Sequence, residues 1–115
     1  MADEAQLLKR VYARFNARDM EAVLQAMRED VIWANGMEGG HVHGREGVRD
    51  YWTRQWAMLD PRVEPVGFSI GPEGEVMVDV HQVVHDLEGK QLVDQMVVHI
   101  FRFEDGLIKR FDIGT

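Results

Sequence analysis

Hydrophobic and polar positions divide this chain into a helical first half and a strand-rich second half. Leu7, Leu8, Val11, Tyr12 and Phe15 recur at spacings of three and four, one side of a helix. Asp3 followed by Gln6 has capping-box spacing, which predicts where that helix starts. Asn16-Ala17-Arg18-Asp19 reads as a joint, with Asp19 placed to cap a second helix whose apolar side is Met20, Val23, Leu24 and Met27. Val31 to Ala34, β-branched and aromatic, predicts a short strand. Glycines at 36, 39, 40 and 44 predict an irregular loop from Asn35 to Gly44. A third helix follows over Arg45 to Leu59, with Val48, Tyr51, Trp52, Gln55, Trp56 and Leu59 on one side and Asp60-Pro61 as its stop.

The remainder alternates as strands, at 62–70, 75–86, 91–103 and 107–113, punctuated by Gly-Pro-Glu-Gly, Leu-Glu-Gly and Glu-Asp-Gly. The order α-α-β-α-β-β-β-β predicts an α+β fold, an antiparallel meander with helices on one face. Leu87-Glu88-Gly89 and Glu104-Asp105-Gly106 read as three-residue loops with Gly third, as a type I turn with a G1 bulge prefers. That pairing sets Met77 opposite His99, Asp79 opposite Val97, His81 opposite Gln95 and His99 opposite Phe111. Met77, Asp79, His81, Val97, His99, Phe101, Phe111 and Ile113 then share one face, and Val76, Val78, Val80, Val84, Val98 and Ile100 the other. One layer of helices covers only one of these faces. The all-aliphatic stripe therefore predicts a homodimer joined through the outer face of the sheet.

Composition narrows the function classes. A length of 115 residues suits one domain, 1–115, and 45% hydrophobic with 29% charged residues is a globular balance. No cysteine is present, which removes disulfides and thiolate chemistry. Thirteen basic against twenty acidic residues give a net charge of −7, which repels phosphate backbones and argues against nucleic acid. No apolar run approaches the ~20 residues of a membrane span. Met1 to Leu8 lacks the order of a secretory signal, so a cytoplasmic location is expected. No Walker loop, G-x-S-x-G or dinucleotide fingerprint appears, and no cofactor is expected.

Candidate chemistry gathers on the mixed face. His99, between Val98 and Ile100, is either a pocket imidazole able to act as acid, base or donor, or a buried neutral histidine bonded to a neighbour. Asp79, diagonal to His99 in this register, either orients the imidazole as a dyad partner or pairs with His81 at the open end of the sheet. Trp33, Trp52, Trp56, Tyr12 and Phe101 supply flat apolar walls for an aromatic or polycyclic ligand, or plain core. Asn35 can orient a carbonyl or hydroxyl, or simply begin the turn at Gly36. His41-x-His43 near Glu38 reads as a solvated loop at a pocket rim, with no metal expected.

Taken together, Phe15-Asn16-Ala17-Arg18-Asp19, the strand entering the Gly-rich loop, His43-Gly44-Arg45-Glu46-Gly47-Val48-Arg49-Asp50-Tyr51-Trp52 and the Ile100-Phe101-Arg102-Phe103 strand resemble the nuclear transport factor 2-like (NTF2-like) superfamily. Within it the chain looks most like the SnoaL-like polyketide cyclase and ketosteroid isomerase-like branch. The resemblance covers essentially the whole chain and implies a cystatin-like cone. In it a curved antiparallel sheet wraps around the N-terminal helices, encloses an apolar pocket and dimerises by its outer face. Carried over by position, the isomerases' base falls on Asn35, their oxyanion Asp on His99, and their helix-1 Tyr on Val11 with Tyr12 beside it. All three groups differ, which argues against steroid isomerisation by that constellation. The cyclases' single late-strand acid/base falls near His99. Two functions follow as expectations: a cofactor-independent isomerase, cyclase or dehydratase that enolises an apolar carbonyl compound through His99 and Asp79, or a non-catalytic binder of small hydrophobic molecules.

Overall fold

The computed structural model describes residues 2–114, with side chains from residue 4 onward. Helix α1 (Ala2–Asn16) and the short α2 (Met20–Leu24) lead into β1 (Met27–Ala34) and β2 (His41–His43). Helix α3 (Gly44–Trp56) and strands β3 (Leu59–Ile70), β4 (Val76–Asp86), β5 (Gln91–Glu104) and β6 (Leu107–Gly114) complete the chain. The side chain of Asp3, the leading half of the expected capping box, lies outside the described residues. The six strands form one curved sheet in the order β2-β1-β6-β5-β4-β3. Every neighbouring pair is antiparallel except β1 and β6, which run parallel, so the sheet is mixed. Its concave side wraps α1 and α3 into an α+β cone. Among the described residues no helix is long and apolar enough to cross a membrane.

Local chemistry accounts for the element ends. Arg18 takes a left-handed φ of 64° and ends the α1–α2 joint, its guanidinium donating to the carbonyls of Phe15 and Pro61 and pairing with Asp60. Asp19 caps α2 by accepting from the Ala22 N–H at 3.3 Å. Met27 is not part of α2; it opens β1, where it pairs with Ile108. Helix α3 ends at Trp56, so Leu59, Asp60 and Pro61 belong to β3 and do not terminate the helix. Two prolines fit in β3 because it is an edge strand, where a missing N–H costs no ladder bond on its open side. The Gly-rich loop contains a further short strand, β2, paired with β1. Asn16 ties the end of α1 to β3, its side chain donating to and accepting from the Val63 backbone at 2.8 and 3.0 Å.

One irregularity in β5 decides which residues face the cone. The Leu87–Gly89 loop forms as expected, with the Asp86 N–H donating to the Lys90 carbonyl at 2.8 Å. His85 pairs with Gln91, but Val84 then pairs with Val93, so Leu92 is an extra residue, a β-bulge. Beyond it the register moves by one: Val78 faces His99, Asp79 faces Val98, and His81 faces Met96. A one-residue step turns every β4 side chain over. Val76, Val78 and Val80 are fully buried inside the cone, and Asp79, His81 and Met77 lie on the convex side. The expected outer stripe is therefore wrong for its β4 members and right for Val98 and Ile100. Between β5 and β6 the turn is the two-residue Asp105-Gly106, both at positive φ, not three residues. A second bulge makes the total displacement two, so His99 pairs with Ile113 in place of Phe111 and the face is preserved.

This register predicts that Val78→Ala costs about 2 kcal/mol in urea unfolding and Met77→Ala under about 1 kcal/mol. The reverse order would place Met77 inside the cone.

Candidate functional site

A cavity of about 440 Å³ opens between α1, α3 and the concave sheet. Its buried end is aromatic, with Tyr12 from α1, Trp33 from β1, Trp52 from α3, Phe101 from β5 and Phe111 from β6. Trp33 stacks on Phe111 at 4.2 Å between ring centres and meets Trp52 edge-on at 5.5 Å. These rings converge because β1 and β6 place Trp33 beside Phe111, and α3 presents Trp52 to both.

His99 enters this aromatic end from mid-β5 and is 7% exposed. Its Nδ1 lies 2.7 Å from the Tyr12 hydroxyl, and the two rings are parallel within 12°. Phe111 meets the imidazole edge-on at 4.8 Å. Burial pushes the His99 pKa down to about 4, and burial lifts the Tyr12 phenol well above its ordinary value. Both are therefore neutral at pH 7. Nε2 makes no hydrogen bond to a described residue, and unlike the Trp56 indole nitrogen it is not sealed from access; it opens on the cavity. The shared proton fixes what the pair presents. If Tyr12 donates to Nδ1, Nε2–H is a donor; if Nδ1–H donates to Tyr12, Nε2 is a free base and the phenol O–H is the donor.

Other expected site residues separate into two groups. Tyr12, Trp33, Trp52 and Phe101 line the cavity. Asp79 does not: it stands on the convex side over Gly67, and no dyad with His99 exists. His81 is on that side too, hydrogen-bonded to Asp94 at 2.7 Å. Trp56 stacks behind Trp52 at 5.6 Å under the Arg18 guanidinium, outside the cavity lining. Asn35 spends its amide on the turn: Oδ1 accepts from the Met37 and Glu38 N–H groups, and Nδ2 donates to Glu38 at 3.0 Å. That bond, with Arg54 nearby, holds the Glu38 carboxyl below its usual range. His41 pairs with Asp112 at 2.8 Å on the convex face.

Sequence reasoning missed Tyr51, Gln55, Gln82 and Gln95 as cavity residues. Tyr51 and Gln55 were legible, since they share the predicted α3 face with Trp52. Gln82 and Gln95 pair across β4 and β5 only in the bulged register.

The depressed His99 pKa predicts an acid-sensitive fold. Between about 6.5 and about 4 the unfolded chain binds a proton that the folded chain refuses, so acid favours unfolding. The contribution is complete above the unfolded value, falls by about 3 kcal/mol as pH drops to the folded value, and changes no further below it. The difference between the unfolding free energies at pH 7 and pH 4 should shrink by about 3 kcal/mol in His99→Gln.

The SnoaL-like domain model matches residues 8–111. No protein of curated function matches the sequence. Among solved structures, an NTF2-like protein of unknown function from Burkholderia pseudomallei K96243 is 27% identical, with a TM-score of 0.86 over 99% of this chain and 91% of its own. TerC, co-crystallised with polyporic acid, is 26% identical, with a TM-score of 0.84 over 97% of this chain and 90% of its own. A candidate polyketide cyclase of Pseudomonas putida KT2440, 20% identical with a TM-score of 0.84 over 97% and 90%, shares the fold. With a cone that encloses an aromatic cavity and a family match running from α1 into β6, this chain belongs to the SnoaL-like domain family of the NTF2-like superfamily.

Proposed function

We propose that the cavity takes an apolar carbonyl compound of aromatic or polycyclic size and enolises it without a cofactor, as an isomerase, cyclase or dehydratase step requires. The observation that carries this reading is the neutral Tyr12–His99 pair with Nε2 open to the cavity. With Nδ1–H donated to Tyr12, Nε2 accepts the proton from the carbon beside the carbonyl. The C–H electron pair becomes the enol double bond, the carbonyl oxygen takes the Tyr12 proton, and Nδ1–H passes to the Tyr12 oxygen. The imidazole ends as its other neutral tautomer and Tyr12 ends as a phenol. No ion forms at either residue, which suits a site where burial disfavours both imidazolium and phenolate. Asp79, an expected partner, has no part in this step.

A second reading is a non-catalytic binder of small hydrophobic molecules. It is favoured by the absence of any carboxylate among the described residues that line the cavity, with Asn35 where the resemblance places a base. Deuterium uptake beside the carbonyl of 2-tetralone, followed by NMR, separates the two. Catalysis predicts accelerated uptake that falls about 100-fold or more in His99→Ala and in Tyr12→Phe and is unchanged in Asp79→Asn. Binding of 2-tetralone with uptake no faster than in buffer would make the protein a binder.

The chain is also proposed to act as a cytoplasmic homodimer. Met96, Val98 and Ile100 on β5, beside Val83 and Met77 on β4, form the convex apolar surface, and Met96 is 59% exposed. Sedimentation should give a dimer mass for the native protein and a monomer mass for Ile100→Lys. A native monomer would remove this interface.

A further inference from the structure

The Tyr51 hydroxyl lines the cavity but takes no part in the Tyr12–His99 pair. Its oxygen accepts the Gly36 N–H at 3.0 Å and faces the Gln55 amide, one helical turn on, at 3.4 Å. Tyr51 is 4% exposed, yet its own proton has no acceptor at ordinary O–H···O length among the described residues. The Gln55 amide is too distant to serve, whichever of its two ends faces the phenol. A buried donor left unmade costs free energy, and the space beside this one is the cavity.

The rest of the lining is informative by its charge. Among the described residues, none around the cavity is Asp, Glu, Lys or Arg; beyond the two tyrosines and His99, its polar groups are the Trp33 and Trp52 indole N–H donors and the Gln55, Gln82 and Gln95 amides. Nothing there neutralises a carboxylate or phosphate, and the chain's net charge of −7 opposes an anion further.

We propose that Tyr51 is a second ligand-holding group, which donates to an oxygen remote from the one at Tyr12–His99, and that the ligand is an uncharged apolar molecule with at least two carbonyl oxygens. The inference rests on the reading of the cavity as a small-molecule site. It makes Tyr51 a selector: a compound with one oxygen leaves the phenol proton unpaired, and a compound with two satisfies both stations.

The probes are phenylalkanediones whose second carbonyl is moved stepwise along the chain from the first, their one-carbonyl parents, and keto acids of equal length. Binding is read by quenching of Trp33 and Trp52 fluorescence. In the native protein at least one diketone should bind about five- to tenfold tighter than its parent, as one added neutral hydrogen bond gives. Tyr51→Phe should abolish that gain and leave the parent's affinity within about twofold, which also shows the cavity intact. The matching keto acid should bind at least about tenfold weaker than the diketone. Should Tyr51→Phe fail to fold, the infrared stretch of the second carbonyl, isotopically labelled and bound to the native protein, must shift as for a hydrogen-bonded ketone. A diketone gain that survives Tyr51→Phe, an unshifted carbonyl, or tight keto-acid binding overturns this inference and leaves the small-molecule site standing. Failure of every uncharged probe to bind overturns both.

Discussion

Burial of the β4 valines governs the side of the sheet on which every cavity residue stands. Val76, Val78 and Val80 alternate with Met77, Asp79 and His81, so only one of the two faces of this strand can be covered by helices without burying a carboxylate and an imidazole. The bulge at Leu92 reconciles that demand with the geometry of the Leu87–Gly89 turn. It adds one residue to β5, brings Val78 opposite His99, and sends Asp79 to solvent. Without it, the same turn would carry a charged group into the aromatic end of the cone.

The consequence for the site is electrostatic. With Asp79 on the convex side, Tyr12 is the only hydrogen-bonding partner of His99 among the described residues, in an environment of rings, and desolvation acts on the imidazole unopposed. The pair is therefore neutral and shares one proton between two atoms. A carboxylate beside His99 would have favoured imidazolium and a fixed charge. The arrangement found here instead offers a donor and a base that exchange places when a proton moves, and the chemistry proposed for the cavity follows from that exchange.

Much of this was legible in the chain. Helical spacing places Tyr12, Tyr51 and Trp52 on inward faces, and the strand pattern places β4, β5 and β6 to within one residue of their ends, whereas β3 begins three residues earlier than Asp60-Pro61 suggests. His99 as the central polar group followed from its position between Val98 and Ile100 and from the family resemblance. No Asp79–His99 dyad forms, because the alternation of β4, which buries Val76, Val78 and Val80, overrides the register of an unbulged hairpin. A bulge has no sequence signature at Leu92, but the cost of burying Asp79 and His81 was readable from the strand. Asn35 was harder: its side chain is claimed by three local hydrogen bonds, which depend on the tight fold of residues 35–40. Trp56 shares a helix face with Trp52, yet lies one turn too far along α3 and stacks beneath Arg18.

The account turns on Tyr12 and His99 working as one unit. A double-mutant cycle on 2-tetralone deuterium uptake tests this most directly, with Tyr12→Phe, His99→Ala and the double variant compared with the native protein. If a single proton relay runs through both, the double variant should be no slower than the slower single variant. Rate losses that multiply, each residue contributing independently of the other, would contradict the relay and leave Tyr12 and His99 as separate contacts in an apolar cavity.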